Sequence, residues 1–245
     1  MTLDLANFED QAREAVKLFW GNRDAALSRQ AKSGNVDAGT RGAVTAGKNM
    51  DGFLAIARNL VEANGLKDAQ ICVQQRALTL PGFYRPTKLW DMLVMHHGRL
   101  VAAIEFKSQV GPSFGNNFNN RCEEAIGTAH DLWTAYREGA FGDDAPRPFL
   151  AWIMLLEDCP KSNVPISDKQ PNFPVDPAFR QASYAQRYDI LCKRLVQEGL
   201  YTSATFLASP REAAADGAYR HLNALTSLRT FVTEFAGHIA AVSAR

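Results

Sequence analysis

The sequence is poor in the features that mark several common protein classes. Its four cysteines, Cys72, Cys122, Cys159 and Cys192, lie far apart and form no CxxC pair. This argues against a zinc ribbon, a thioredoxin-like site and a dense disulfide framework, and reduced thiols in a cytoplasmic protein are the expectation. No run of about 18 apolar residues occurs, so no membrane-spanning helix is expected. The opening stretch MTLDLANFEDQAREAVKLFW lacks both a basic start and a continuous apolar segment, which argues against a secretion signal. Excess charge is missing too: 27 basic residues stand against 26 acidic ones, for a net charge of +1. A globally polybasic binder is thereby set aside, and any phosphate-binding surface must be local. No internal repeat is visible.

What is present suits a folded enzyme-sized unit. With 245 residues and 46% apolar content, residues 1–245 can bury a full core as one domain, with its centre at about 51–160 and a C-terminal elaboration at about 175–245. Phe8, Ala12, Ala15, Val16 and Phe19 give a first helix over 6–20. The stretch 33–52 is rich in Gly, Asn and Asp and reads as a loop. A second helix follows on the stripe Phe53, Ile56, Ala57, Leu60 and Val61. Strands are expected at 71–80, 88–95 and 100–106, then a helix over about 120–136 with Asn120 and Glu123 placed for capping. The run FLAWIMLL at 149–156 fits a strand buried on both faces. Beyond it lie helices at about 178–197 and 219–241 flanking a strand at YTSATFLA. The order αβββαβ is an α/β fold with a mixed central sheet flanked by helices.

Chemistry concentrates at one place. In LVAAIEFK, alternation puts Val101, Ala103, Glu105 and Lys107 on one face and Leu100, Ala102, Ile104 and Phe106 on the other. Charged groups on a mostly apolar strand are costly unless something binds them. Asp91 interrupts KLWDMLVM in the same way. Two carboxylates, with the Phe106 carbonyl between the charged side chains, suit Mg²⁺, and Lys107 can orient or help deprotonate an attacking water and stabilise charge on a phosphate. The arrangement requires an odd-length connection. A three-residue loop of His97, Gly98 and Arg99, or a bulge with the same effect, sets Asp91 opposite Glu105; a four-residue turn through His96 to Arg99 sets it opposite Ile104, on the wrong face.

Other signals carry less. Gly42 to Lys48, GAVTAGK, matches part of a phosphate-binding loop, but Asn49 stands where Ser or Thr would hold a metal and no apolar strand precedes it. His96 and His97 read as turn residues whose side chains diverge, without a partner at ligand spacing. Glu62 lies off the apolar stripe of its helix and reads as surface. Trp133 and Tyr136 read as core.

A lone (D/E)xK triplet is expected by chance roughly once in such a chain, so its setting supplies its weight. The order αβββαβ with Asp91 and Glu105-Phe106-Lys107 resembles the PD-(D/E)xK nuclease core, with Trp90 where the consensus has proline. More narrowly, YRPTKLWDMLV and AAIEFKSQVGPSFGNNFNNRCEEAIGTAHDLWTAYREGAFG resemble the XhoI-type restriction endonucleases, most strongly from about Pro81 to Pro160. The resemblance implies a homodimeric, Mg²⁺-dependent type II enzyme that cuts double-stranded DNA at the palindrome CTCGAG after the first C and works beside a cognate DNA methyltransferase. It also implies catalytic roles for Asp91, Glu105 and Lys107, with Asp91, Glu105 and Phe106 as metal ligands. Candidate base readers are Gln109, Asn116, Asn117, Asn119, Asn120 and Arg121, of which Asn119 and Asn120 could instead cap the next helix. Arg85, Lys88, Arg76, Arg41 and Lys48 are candidate phosphate contacts. A structure-specific repair or junction nuclease and a non-catalytic DNA-binding module are the competing readings.

Overall fold

A computed structural model describes residues 2–32, 49–74, 77–167 and 172–245. The expectations placed on Gly42 to Lys48, Arg41 and Arg76 lie outside the described residues. At the centre is a five-stranded sheet in the order β1-β4-β5-β6-β7. It is built from β1 (Gln70–Cys72), β4 (Met92–His96), β5 (Arg99–Gln109), β6 (Phe149–Glu157) and β7 (Ser203–Ser209). Strands β1, β4 and β5 pair antiparallel and β5, β6 and β7 parallel, so the sheet is mixed as expected. Two short strands, β2 (Thr79–Leu80) and β3 (Lys88–Leu89), form a separate ribbon. The helices are α1 (Phe8–Lys32), α2 (Asp51–Ala63), α3 (Phe114–Arg137), α4 (Pro160–Asn163), α5 (Tyr184–Gln197) and α6 (Leu228–Ser243). Among the described residues, no helix is long and apolar enough to cross a membrane.

The continuous apolar run of β6 follows from its position between two layers. Phe149, Ala151, Ile153 and Leu155 pack with Phe19, Ile56, Leu60, Phe231 and Phe235 from α1, α2 and α6. Leu150, Trp152, Met154 and Leu156 face the other way, against Phe118, Leu132, Tyr188 and Leu191 from α3 and α5. All four cysteines are free thiols.

Five expected boundaries move. The stretch 71–80 is not one strand: β1 stops at Cys72, and β2 belongs to the ribbon. The stretch 88–95 is broken at Trp90 and Asp91, because Trp90 N–H donates to Leu78 O at 2.9 Å and its indole is buried in the α3 layer. Helix α3 starts at Phe114, not near Asn120, and its N-cap is Ser113. Asparagine is a poor helix former at about 0.6 kcal/mol each relative to alanine, but burying Phe114 and Phe118 one turn apart returns roughly 2 kcal/mol per ring and carries the helix across the Asn run. The last two long helices start later than expected, at Tyr184 and Leu228, after the N-caps Ser183 and Ser227, whose side chains accept from Gln186 N and Thr230 N.

The loop 81–87 that joins β2 to β3 is moored from across the fold. Asp131 of α3 is buried; it accepts from Phe83 N at 2.8 Å and Tyr84 N at 2.7 Å, and pairs with Arg85 Nε at 2.8 Å. Burial opposes its ionisation, but these donors outweigh burial and hold the carboxyl below the ordinary value of 3.8. Asp131→Ala is expected to cost about 2–4 kcal/mol in urea denaturation at pH 7. A depressed native pKa stabilises above the unfolded value, so the deficit should be full above about pH 4 and shrink as the pH falls below it. Equal stability of the variant and wild type at pH 7 would refute the mooring.

Candidate active site

The β4–β5 hairpin decides whether the two acidic groups meet. His96 pairs with Arg99, and the turn is His97-Gly98, with φ of +48° and +74°. It is thus a two-residue turn of the type that suits strand twist, not the three-residue loop expected from the sequence. A regular ladder from this turn would set Asp91 opposite Ile104. The pairing instead jumps from Met95↔Leu100 to Val94↔Ala102, which leaves Val101 as an extra, bulged residue. Met92 then opposes Ile104, and the next step brings Asp91 opposite Glu105. The bulge also corrects the expected faces: Val101 packs with Ala102, Ile104 and Phe106, while Leu100 packs with Ala103 in the other layer.

Past Ile104 the ladder ends, because the chain on the β4 side leaves for the β2–β3 ribbon. Asp91 takes up the vacated pairing, its Oδ2 accepting from Phe106 N at 2.8 Å. In an extended strand a residue's N–H and C=O point the same way, so the Phe106 carbonyl also faces the Asp91 side. Glu105 is only 3% exposed. Its Oε2 lies 2.5 Å from Lys107 Nζ, and its Oε1 accepts from Lys88 Nζ. Lys107 Nζ is also 3.7 Å from Asp91 Oδ2. Two carboxylates and two ammonium groups therefore balance within one cluster. Lys88, expected at a phosphate, stands inside this cluster, with its ammonium 5.0 Å from the Trp90 ring centroid. Sequence spacing could not place it there, since β3 lies outside the main sheet.

The charges tune one another. Burial resists ionisation of Glu105, yet Lys107 and Lys88 together outweigh it and hold the carboxyl below the usual range. For Asp91 burial prevails, reinforced by Glu105 and only partly offset by Lys107 and the Phe106 N–H, so its carboxyl is raised. Burial would lower Lys107, but Glu105 and Asp91 more than compensate and raise it.

Asp91, Phe106 and Lys107 border a cleft of about 710 Å³ that is also lined by Asp51 and Arg58 of α2 and Arg121 of α3, while Glu105 is buried beside it. Asp51 and Arg58 were not singled out in the sequence, although with Leu54 and Ala55 they form a helical stripe beside the buried one. Glu62 is exposed and does not line the cleft. Among the described residues no histidine or cysteine lines it, so the metal-ligand donors it offers are oxygens, the set a hard divalent cation takes.

The remaining candidates separate. Asn116, Asn119 and Asn120 are exposed and Asn117 half-buried, all on the first turns of α3 beside Arg121, so none of them caps the helix. Arg121 lines the cleft and pairs with Glu124. Gln109 is not at a DNA-accessible surface: it is buried, its amide donates to Phe114 O at 3.0 Å, and it accepts from the Tyr188 hydroxyl. Arg85 is committed to Asp131. Trp133 and Tyr136 donate to the carbonyls of Leu200 and Ala145 as core residues.

Comparison with known proteins shows the family. The family model described as Restriction endonuclease XhoI matches residues 29–221. The chain is 53% identical over 211 residues to the type II restriction enzyme XhoI of Xanthomonas vasicola, covering 86% of this chain and 84% of the relative. It is 61% identical over 173 residues to AbrI of Azospirillum brasilense, covering 71% and 77%. To BstVI of Geobacillus stearothermophilus it is 42% identical over 213 residues, covering 85% and 94%. No solved structure matches. With the family model spanning most of its length and three type II restriction enzymes aligned along it, the chain belongs to the XhoI restriction endonuclease family.

Proposed function

We propose that this chain is a type II site-specific deoxyribonuclease that hydrolyses double-stranded DNA with Mg²⁺ through Asp91, Glu105 and Lys107. The supporting observation is the meeting of Asp91 and Glu105 on one face beside Lys107, in a member of a restriction endonuclease family. Asp91, Glu105 and the Phe106 carbonyl would hold the metal. A bound divalent ion supplies Lewis-acid polarisation of a phosphate oxygen and a water of lowered pKa. Lys107, kept protonated by its two carboxylate neighbours, offers its ammonium to the charge that develops on the phosphate and to the attacking water. Lys88 holds the other oxygen of Glu105 and acts as a positioning residue.

Arg58 and Arg121 both line the cleft, where they suit phosphate contacts, and Asn116, Asn117, Asn119 and Asn120 project from the same helix as Arg121. Resemblance to the family supplies the target, C^TCGAG, and a homodimer in which each subunit cuts one strand of the palindrome. A single domain, a cytoplasmic setting and a partner methyltransferase complete the reading.

Digestion of a sequenced plasmid in Mg²⁺ is expected to give discrete fragments with ends at CTCGAG. Nicking confined to branched substrates would favour a junction nuclease, and tight binding without cleavage a non-catalytic module. Glu105→Ala and Lys107→Ala should each lower the cleavage rate by at least about 100-fold while largely keeping target affinity in a gel-shift assay without metal. Robust cutting by either variant removes that residue from the mechanism. Ca²⁺ in place of Mg²⁺ should support binding without turnover, since it accepts looser geometry and activates water less.

A further inference from the structure

A second cluster of ligand-type side chains sits at the other end of the β4–β5 hairpin. Two consecutive residues on a regular strand point to opposite faces, and His96 and His97 would then diverge. The left-handed backbone of His97 breaks that alternation, and the two imidazoles come together with ring centroids 3.9 Å apart. A third ligand arrives from the turn that leads into β1. Its antiparallel register with β4, Gln70↔Met95, continues two steps back to set Asp68 beside His97. Ligand atoms of Asp68, His96 and His97 all lie within 4.8 Å of one another. His96 Nδ1 is buried without a hydrogen-bond partner, a cost that a bound ion would remove.

We infer that Asp68, His96 and His97 form a binding site for a transition-metal ion of the Zn²⁺ type, separate from the catalytic centre. Two imidazoles and one carboxylate select such ions over Mg²⁺, which prefers all-oxygen sets. Tetrahedral ligands with bonds of about 2.0–2.1 Å stand about 3.3 Å apart, so the cluster must close by up to about 1.5 Å. Asp68 and His97 are exposed side chains that can rotate to do so. Both imidazoles also line a cavity with Arg99, Arg147 and Arg245, whose charges oppose a bare cation and favour an anionic fourth ligand from solvent. From Asp91 to His96 along the chain is roughly 16 Å at about 3.3 Å per residue, which keeps the two sites apart. The ion would tie β1, a three-residue edge strand, to the hairpin turn.

The test uses the untagged full chain in millimolar Mg²⁺, titrated with Zn²⁺ by calorimetry and followed by thermal denaturation. Wild type is expected to bind one Zn²⁺ with Kd of about 10 μM or tighter, and its Tm to rise by several degrees at saturation. His97→Asn keeps a residue that tolerates the left-handed turn, and Asp68→Ala removes an exposed carboxylate, so both variants should melt like wild type without zinc. Each should bind Zn²⁺ at least about tenfold more weakly and lose the Tm rise. Unchanged zinc affinity in both variants, or no zinc binding by wild type, overturns the inference.

Discussion

A carboxylate with 3% of its surface exposed has to be matched by positive charge, and Glu105 is matched twice, by Lys107 and Lys88. Left unpaired, a buried ion of this kind costs several kcal/mol. Lys107 comes at no topological expense, two residues along the same strand. Lys88 does not: it has to be delivered from a separate ribbon, and the chain between β3 and β4 must turn away from the sheet to bring it in. That departure strips β5 of its neighbour past Ile104, exposes the Phe106 N–H for Asp91, and opens the cleft. Charge pairing, sheet divergence and the space for a substrate are thus one arrangement seen from three sides.

Much of this was legible in short stretches of sequence. Alternation alone put Glu105 and Lys107 together, and the unbroken apolar run at 149–156 announced a strand between two layers, because both facts depend on a few adjacent residues. What escaped depends on partners far away in the chain. The split of 71–80 and 88–95 into sheet and ribbon follows from Trp90 pairing with Leu78, not from either segment's own pattern. The start of α3 was hidden because six polar or small residues outvote Phe114 and Phe118 locally, whereas packing decides otherwise. Gln109 looked available for recognition only because burial against Tyr188 cannot be read from its neighbours.

The supports of the site extend beyond its lining. Asp131 fixes the loop that precedes Lys88, so the ribbon is anchored to α3, the same helix that presents Arg121 to the cleft. At the far end of the hairpin, the left-handed conformation that makes a tight turn also turns two histidines toward each other. Two backbone devices thereby shape the ends of β4: the turn fixes where pairing begins, and the bulge at Val101 fixes where pairing delivers Asp91.

That bulge imposes a rule of parity. The path from Asp91 out to the turn and back to Glu105 preserves their shared face only for connections of odd length, whether the odd residue sits in the turn or in the strand. Gain or loss of one residue anywhere along it would swap the layers that the two carboxylates face, however conservative the residue. Length changes among relatives are therefore tolerable here in even steps, or as a residue traded between turn and bulge. The hairpin can drift in sequence and even in turn type while its count stays fixed.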